Sequence, residues 1–313
     1  MDGKIISWNI KTMQPEKVLV RPFGRYSKFE ISPVGTTLVY LKGRELKLFD
    51  YETLRDVGVL YGNTVDRIVY LMGGKYLAAG VYVWDVNEKK IISELYKWGF
   101  LMSEVPTKDE LIFSGYDFLD IVDIKSKTEI RRIRIESKWD TTIQGICQVI
   151  IESDGKRGYA LSDSGILGIF NVETGEVTAR IKTYPGKIMM DEKKRRLYKI
   201  TRRAGITSED KYINQKYALI DMSYEFEVYD MDSAKLIDKG KWVVPKDTIE
   251  KMVTEDGTPA VGILDAVLSP DGKIIAVSSE GCTIRLFSSE TFKPIGLLGE
   301  GCRVAPRPIE ISG

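Results

Sequence analysis

This chain lacks histidine, the side chain that enzymes use most often for proton transfer near neutral pH. Its 313 residues include three cysteines and 45 acidic residues. Without histidine, Ser-His-Asp and Cys-His catalysis and histidine-ligated zinc, iron or copper centres are excluded. No P-loop occurs, and no dinucleotide-binding glycine motif opens a helix. We therefore predict no catalytic residue, no metal and no cofactor.

The three cysteines, Cys147, Cys282 and Cys302, form no C-x-x-C pair, so a zinc knuckle or a thioredoxin-type site is not indicated. We interpret them as small buried apolar side chains. A Cys282–Cys302 disulfide is the alternative, because such bonds occur inside some hyperthermophile cells. Charged residues are abundant and Gln and Asn are scarce, a pattern typical of thermophiles that lineage bias explains equally well.

Seven short polar side chains suggest a ring of oxygen ligands, because each follows a bulky hydrophobe at the end of a β-rich run. The pairs are Trp8-Asn9, Phe49-Asp50, Trp84-Asp85, Val122-Asp123, Phe170-Asn171, Tyr229-Asp230 and Phe287-Ser288. At the end of a strand, however, Asp, Asn and Ser accept backbone N–H groups of the following turn. We therefore prefer a turn-forming role for these residues over a metal site.

The seven pairs recur at intervals of 35 to 59 residues, and internal periods of this length indicate a repeat architecture. Each repeat contains short β-rich runs separated by turns, most clearly Ser32-Pro33-Val34-Gly35 and Ser269-Pro270-Asp271-Gly272. We predict an all-β fold, a seven-bladed β-propeller of four-stranded blades. Residues 304–311 and the N-terminal strands are expected to share one blade and close the ring. Six or eight blades are the alternative counts.

The chain resembles the WD40 repeat family. Trp84-Asp85, its six looser equivalents and the two Ser-Pro-x-Gly turns carry the resemblance, which spans nearly the whole chain. The family's Gly-His dipeptide and its histidine-containing tetrad are absent, so the chain is a divergent WD40-like propeller or a related propeller type. The resemblance implies a non-catalytic scaffold that presents top-face loops to a protein partner or complex.

Two insertions interrupt the repeat, at about 202–224 and about 241–262. In WD40 architecture such loops emerge side by side on one face. Long loops inside a compact domain are often functional, and aromatic and arginine side chains are typical anchors of protein contacts. The partner-binding candidates are Arg202, Arg203, Lys211, Tyr212, Lys216, Tyr217, Trp242, Lys246 and Lys251. The alternative is that the loops only pack on each other.

Two other functions stay open. The basic turn 193–196, with Arg202 and Arg203, is consistent with an RNA- or ribonucleoprotein-associated propeller, although a net charge of +1 argues against a protein that mainly coats nucleic acid. A propeller hydrolase with a metal held by carboxylates and amides in the central channel is the second alternative.

The repeat runs through the chain without a Pro/Gly/Ser-rich linker, which predicts one domain over 1–313. No apolar run of 18 residues occurs, so no membrane span is expected. The first residues lack the charged head and apolar middle of a signal peptide. We expect a monomeric propeller in the cytoplasm.

Overall fold

The computed structural model describes residues 5–20, 29–42, 45–61, 68–80, 82–94, 100–115, 117–135, 145–206, 219–245, 263–279 and 283–299. Within these ranges the regular structure is entirely β-strand. No helix long and apolar enough to cross a membrane is found there. Cys147 lies in this part of the chain and is a free thiol, whereas Cys282 and Cys302 lie outside it.

In the described part of the chain, twenty-six strands form six four-stranded antiparallel sheets and one two-stranded hairpin, and each sheet takes its strands in chain order. The hairpin and the first two sheets comprise β1 (Ile5–Asn9), β2 (Gln14–Val20), β3 (Phe29–Ile31), β4 (Thr37–Lys42), β5 (Glu45–Asp50), β6 (Arg55–Tyr61), β7 (Ile68–Leu71), β8 (Tyr76–Ala79), β9 (Tyr82–Asp85) and β10 (Lys90–Glu94). The next two comprise β11 (Phe100–Val105), β12 (Glu110–Ser114), β13 (Phe118–Asp123), β14 (Thr128–Arg134), β15 (Ile146–Ile151), β16 (Arg157–Ser162), β17 (Ile166–Asn171) and β18 (Val177–Lys182). The last two comprise β19 (Lys187–Asp191), β20 (Arg196–Ile206), β21 (Leu219–Asp230), β22 (Leu236–Val243), β23 (Ile263–Leu268), β24 (Ile274–Ser279), β25 (Ile284–Ser288) and β26 (Pro294–Leu298).

The four-stranded unit predicted from the sequence is confirmed, and the described residues contain six such sheets. Where the seventh blade was predicted, the structure describes the β1–β2 hairpin, so the count of seven blades stays a prediction. The other strands of that blade were expected within 304–311, which lies outside the described residues, so strand pairing between the two termini stays a prediction. Met13, in the hairpin turn, packs against Gly296 of β26, where an added Cβ would lie 2.6 Å from the Met13 Cε.

The chain divides into two compact units. The first contains 1–7 and 15–185, and the second contains 8–14 and 186–313. The single-domain organisation stays a prediction. Within each unit the central strands are apolar runs because both faces of each sheet are buried. In β12, for example, Leu111, Ile112 and Phe113 are all at most 2% exposed.

The turn chemistry predicted for the seven polar residues is confirmed. Each side-chain oxygen accepts a backbone N–H from the residue two or three positions later, at 2.6 to 3.3 Å. The acceptors are Asn9, Asp50, Asp85, Asp123, Asn171, Asp230 and Ser288. These oxygens therefore stabilise the hairpin turns that join the third and fourth strands.

The same turns share a backbone feature that the sequence analysis missed. Four positions after each polar residue, φ is positive, between 54° and 76°. The residues are Met13, Leu54, Lys89, Lys127, Gly175, Ala234 and Phe292. Such turns normally select glycine, because a Cβ makes the left-handed conformation costly. Six of the seven turns nevertheless keep a side chain there.

Several of these side chains pack against a glycine in the outermost strand of an adjacent sheet. At Gly58 an added Cβ would lie 2.8 Å from Lys89 Cε, and at Gly240 it would lie 2.3 Å from Phe292 Cδ2. At one turn the glycine and the large side chain exchange places. The turn residue is Gly175, and its large neighbour is Arg131 of β14, whose Cδ would lie 2.7 Å from an added Cβ. A large residue in one sheet is therefore matched by a glycine in the next.

The strands β20 and β21 are the longest in the described structure, with 11 and 12 residues. The loop predicted over 202–224 is therefore strand at both ends, and 207–218 lies outside the described residues. Likewise, the start of the predicted 241–262 insertion is the end of β22. Cross-strand pairing continues to the pair Ile206 and Leu219. The β20–β21 hairpin is therefore longer than the hairpins of the other described sheets.

Candidate functional site

The long β20–β21 hairpin and β22 hold the described members of the predicted partner-binding set. Arg202 lies in β20, next to Arg203, and Trp242 lies near the end of β22. The other six candidates lie outside the described residues, and they stay predictions: Lys211, Tyr212, Lys216, Tyr217, Lys246 and Lys251.

Strand register brings Arg202 and Trp242 onto one face of the sheet. Tyr224 of β21 is paired with Arg202 on one side and with Trp242 on the other. The Tyr224 and Trp242 rings are stacked, with centroids 5.8 Å apart and an interplanar angle of 28°. The guanidinium carbon of Arg202 lies 5.5 Å from the Tyr224 centroid. Its Nε also approaches the sulfur of Met222 at 3.1 Å.

A fourth residue, Arg285, comes from β25 of the neighbouring sheet and was not predicted. Its guanidinium carbon lies 4.6 Å from the Trp242 ring centroid, a cation–π distance. Its side chain also interacts electrostatically with Tyr224. We call Arg202, Tyr224, Trp242 and Arg285 the arginine–aromatic ladder. The alternation of β25 could have assigned Arg285 to a face of its own sheet, but not to a neighbour in another sheet.

The ladder rests on the apolar core of the second unit. Phe287 contacts both of its rings, with centroids 5.3 Å from Tyr224 and 5.7 Å from Trp242. Tyr224 is 1% exposed and Phe287 is fully buried, whereas Arg202, Trp242 and Arg285 are half-buried. The core thus holds the rings in place while the ends of the ladder keep access to solvent.

Burial alters the electrostatics of Arg285. Desolvation lowers the pKa of its guanidinium, while the interaction with Tyr224 acts in the opposite direction. An arginine remains charged even so. Arg285 therefore carries a positive charge that water stabilises less than at an exposed position.

Arg203 lies on the opposite face of the sheet, since successive strand residues point in opposite directions. Its Nε is 2.6 Å from an oxygen of Glu225, and the ammonium of Lys241 is 3.7 Å from the other oxygen of that carboxylate. The adjacent arginines predicted as one set are therefore separated. Arg202 belongs to the ladder, and Arg203 to an ion-pair group.

A buried lysine lies on the same face as Arg203. Lys199 is 2% exposed, and its ammonium donates to Thr201 Oγ1 at 2.6 Å and to Glu227 Oε2 at 2.9 Å. Desolvation lowers the pKa of Lys199, and the bond to Glu227 partly offsets this effect. These contacts neutralise the charge within the fold.

The basic turn 193–196 is partly neutralised by its own neighbours. Lys194 Nζ lies 3.7 Å from Asp191 Oδ2 and donates to the Gly272 carbonyl at 3.3 Å. Arg195 Nη2 lies 2.7 Å from Asp232 Oδ1. Two of its four cations are thus engaged, which weakens the turn as a phosphate-binding element.

Among the described residues, no group of three or more Asp, Glu or Cys side chains is arranged to hold a metal ion. The seven polar residues considered as a ligand ring are occupied by turn hydrogen bonds. The ladder provides two guanidinium groups and an indole on a rigid base, which are groups suited to recognition of another molecule.

The fold is that of a β-propeller with four-stranded blades. It is similar to the β-propeller domain of Cps50 (Swd1) from Myceliophteria thermophila, with 14% identity, a TM-score of 0.66 and coverage of 90% of this chain and 88% of that one. It is also similar to hydrazine synthase from Kuenenia stuttgartiensis, with 14% identity, a TM-score of 0.59 and coverage of 84% and 76%. At these identities the likeness concerns the fold alone.

The prediction of a β-propeller is thereby confirmed. Neither protein-family models nor curated proteins give a match to the sequence. The absence of histidine removes the residues on which the usual WD40 pattern depends.

Proposed function

We propose that the protein is a non-catalytic, WD40-like interaction module that binds a protein partner through the arginine–aromatic ladder and the adjoining β20–β21 hairpin. A β-propeller fold serves many functions, so the proposal depends on the site. The observation that carries it is a half-buried Arg–aromatic–Arg array fixed on a packed core.

The composition of the ladder supports this role. Binding energy in protein interfaces is concentrated in a few Trp, Tyr and Arg residues that are held rigidly and surrounded by less important contacts. Trp242 and Tyr224 are rigid because Phe287 packs against both. The next residue, Val243, is 53% exposed; it points to the opposite face of the edge strand β22 and would add apolar contact area where a partner covers that edge.

The remaining candidates belong to the same proposal. Lys211, Tyr212, Lys216 and Tyr217 lie in the segment that connects β20 to β21, and Lys246 and Lys251 follow β22. We propose that they extend the contact surface around the ladder. Arg203 is paired with Glu225, so its charge is already neutralised. We therefore propose that it contributes only at the edge of this contact surface.

Site-specific photo-crosslinking in the native cell tests the proposal. A photoreactive phenylalanine analogue at position 243 is expected to capture a discrete protein partner, and the same analogue at Lys293, an exposed turn position, is the matched control. Trp242→Ala should abolish the capture at 243, and Trp242→Phe should retain part of it because a ring remains. Identical products from 243 and 293, or capture unaffected by Trp242→Ala in a folded variant, would overturn the proposal.

A further inference from the structure

Arg285 differs from the other cations of its region in how its charge is balanced. Arg203 and Lys241 share the carboxylate of Glu225, and Lys199 is paired with Glu227. Among the residues that the structure describes, no carboxylate is bonded to Arg285, whose described contacts are with Tyr224 and Trp242. Arg285 is thus a half-buried cation, and the nearby carboxylates of Glu225 and Glu227 are paired with other cations.

Within the described ranges, these two contacts leave most of the Arg285 donors available. The guanidinium carbon lies 4.6 Å over the Trp242 ring, a cation–π contact in which the indole provides no acceptor atom. Tyr224 is a single hydrogen-bonding oxygen. A guanidinium has five N–H donors in a planar fork, so an edge of this fork remains for an acceptor.

The chemistry of that acceptor follows from the geometry. A planar fork with one positive charge is complementary to a carboxylate, which accepts two parallel hydrogen bonds from it. The aromatic contacts also orient the guanidinium before a ligand binds, which reduces the entropy lost on binding. Because water already stabilises this charge poorly, a ligand that excludes more water would need to bring a negative charge.

We infer that Arg285, held by its contacts with Trp242 and Tyr224, binds a carboxylate of the protein partner, so that the segment recognised by the ladder is acidic. This inference rests on the proposed function and specifies the partner's chemistry. The carboxylate would approach the free edge of the guanidinium, while Trp242 contacts the apolar parts of the same segment.

Nuclear magnetic resonance of the full-length chain tests the inference without a known partner. The probe is an acetylated and amidated tetraglutamate peptide, and the tetraglutamine peptide is the uncharged control. The side-chain Nε–H signal of Arg285, assigned by its disappearance in Arg285→Lys, is expected to shift saturably with tetraglutamate and not with tetraglutamine. Inorganic phosphate is titrated separately, so that its affinity can be compared with that of tetraglutamate.

Variants then test the contribution of the charge. Arg285→Gln should weaken tetraglutamate binding by about tenfold or more, since hydrogen bonds to charged groups are among the stronger ones. Lys293→Gln removes one positive charge elsewhere in the same sheet and should change the affinity by less than about twofold. The wild-type signal gives an answer even if Arg285→Gln does not fold.

Three results would overturn the inference: no saturable shift at Arg285 in the folded protein, equal weakening by both variants, or tighter binding of phosphate than of tetraglutamate. The outcomes separate the inference from the proposed function. Partner capture from position 243 with no response at Arg285 would refute the acidic ligand alone. A response at Arg285 without any captured partner would leave an anion site and refute the interaction role.

Discussion

Replacing Gly240 by alanine should destabilise the protein through one defined contact. The new Cβ would lie 2.3 Å from Cδ2, 2.8 Å from Cγ and 2.9 Å from Cβ of Phe292. Phe292 cannot move away easily, because it is 6% exposed and stacked on Phe226 at 5.1 Å. Its backbone is also held in a tight turn with φ of 55°.

The expected loss of stability combines two opposing effects. Forcing extra atoms into a packed core costs about 1–3 kcal/mol. The restricted unfolded chain of alanine offsets about 0.4–1 kcal/mol of this cost, because Gly240 itself has no positive φ. We therefore expect Gly240→Ala to lower the free energy of unfolding by about 1–2 kcal/mol in urea denaturation followed by tryptophan fluorescence.

The matched control is Gly58→Ala, in the equivalent contact between two other sheets. There the added Cβ would meet Cε, Nζ and Cδ of Lys89 at 2.8 to 3.2 Å. These atoms form the end of a flexible side chain that can swing outward, giving up its 2.7 Å bond to the Val57 carbonyl. We expect a change of less than about 0.5 kcal/mol, as for most surface substitutions.

A double-mutant cycle isolates the contact from other effects. Phe292→Ala alone should cost about 3–5 kcal/mol, as expected for a buried aromatic side chain. In that background Gly240→Ala should become neutral or slightly stabilising, since the clashing ring is gone. A wild-type stability for Gly240→Ala, or the same cost in both backgrounds, would refute the proposed packing of a large side chain on glycine.

Two further predictions concern the turns. Lys127→Gly should raise the free energy of unfolding in urea by about 0.5–1 kcal/mol, because it relieves a left-handed backbone with φ of 57°; Lys127→Ala keeps a Cβ and should give no gain, and an equal gain would contradict the explanation. Hydrogen bonds, the largest contribution from Thr36 and the next from Thr53, lower the pKa of Asp50 from 3.8 to about 2. The ionised Asp50 therefore stabilises the fold fully above about pH 4, and this stabilisation is lost as the pH falls through about 2. Asp50→Asn should therefore lower the Tm at pH 7, with a difference from wild type that shrinks between pH 4 and pH 2; a difference independent of pH would be evidence against this linkage.

Much of the fold could be predicted because its determinants are local. The seven polar residues act on N–H groups two or three positions away, so their role is visible in the sequence before any tertiary contact is known. Tight turns such as 269–272 are likewise encoded by Pro and Gly, and Gly272 donates to the Ser269 carbonyl at 2.8 Å with a φ of 68°. The left-handed residues were missed because six of the seven are not glycine.

The candidate site was predicted less completely. The aromatic and basic composition of the insertions identified Arg202 and Trp242, and the alternation of strands determines that Arg202 and Arg203 face opposite sides. The ends of the insertions were predicted as loop, but hydrogen bonding across the β20–β21 hairpin continues the strands through residue 206 and from residue 219. Such pairing depends on the partner strand as well as on local sequence.

The sequence by itself determined the repeat, the four-stranded unit and the turn chemistry, since each depends on residues close together along the chain. Only the tertiary structure brought Arg285 of β25 against Trp242 of β22 at 4.6 Å and matched Phe292 with Gly240. These contacts join different sheets, and side-chain volume and orientation select them rather than spacing in the sequence. For this reason the charge balance of Arg285, on which the proposed acidic ligand depends, could be recognised only in the folded protein.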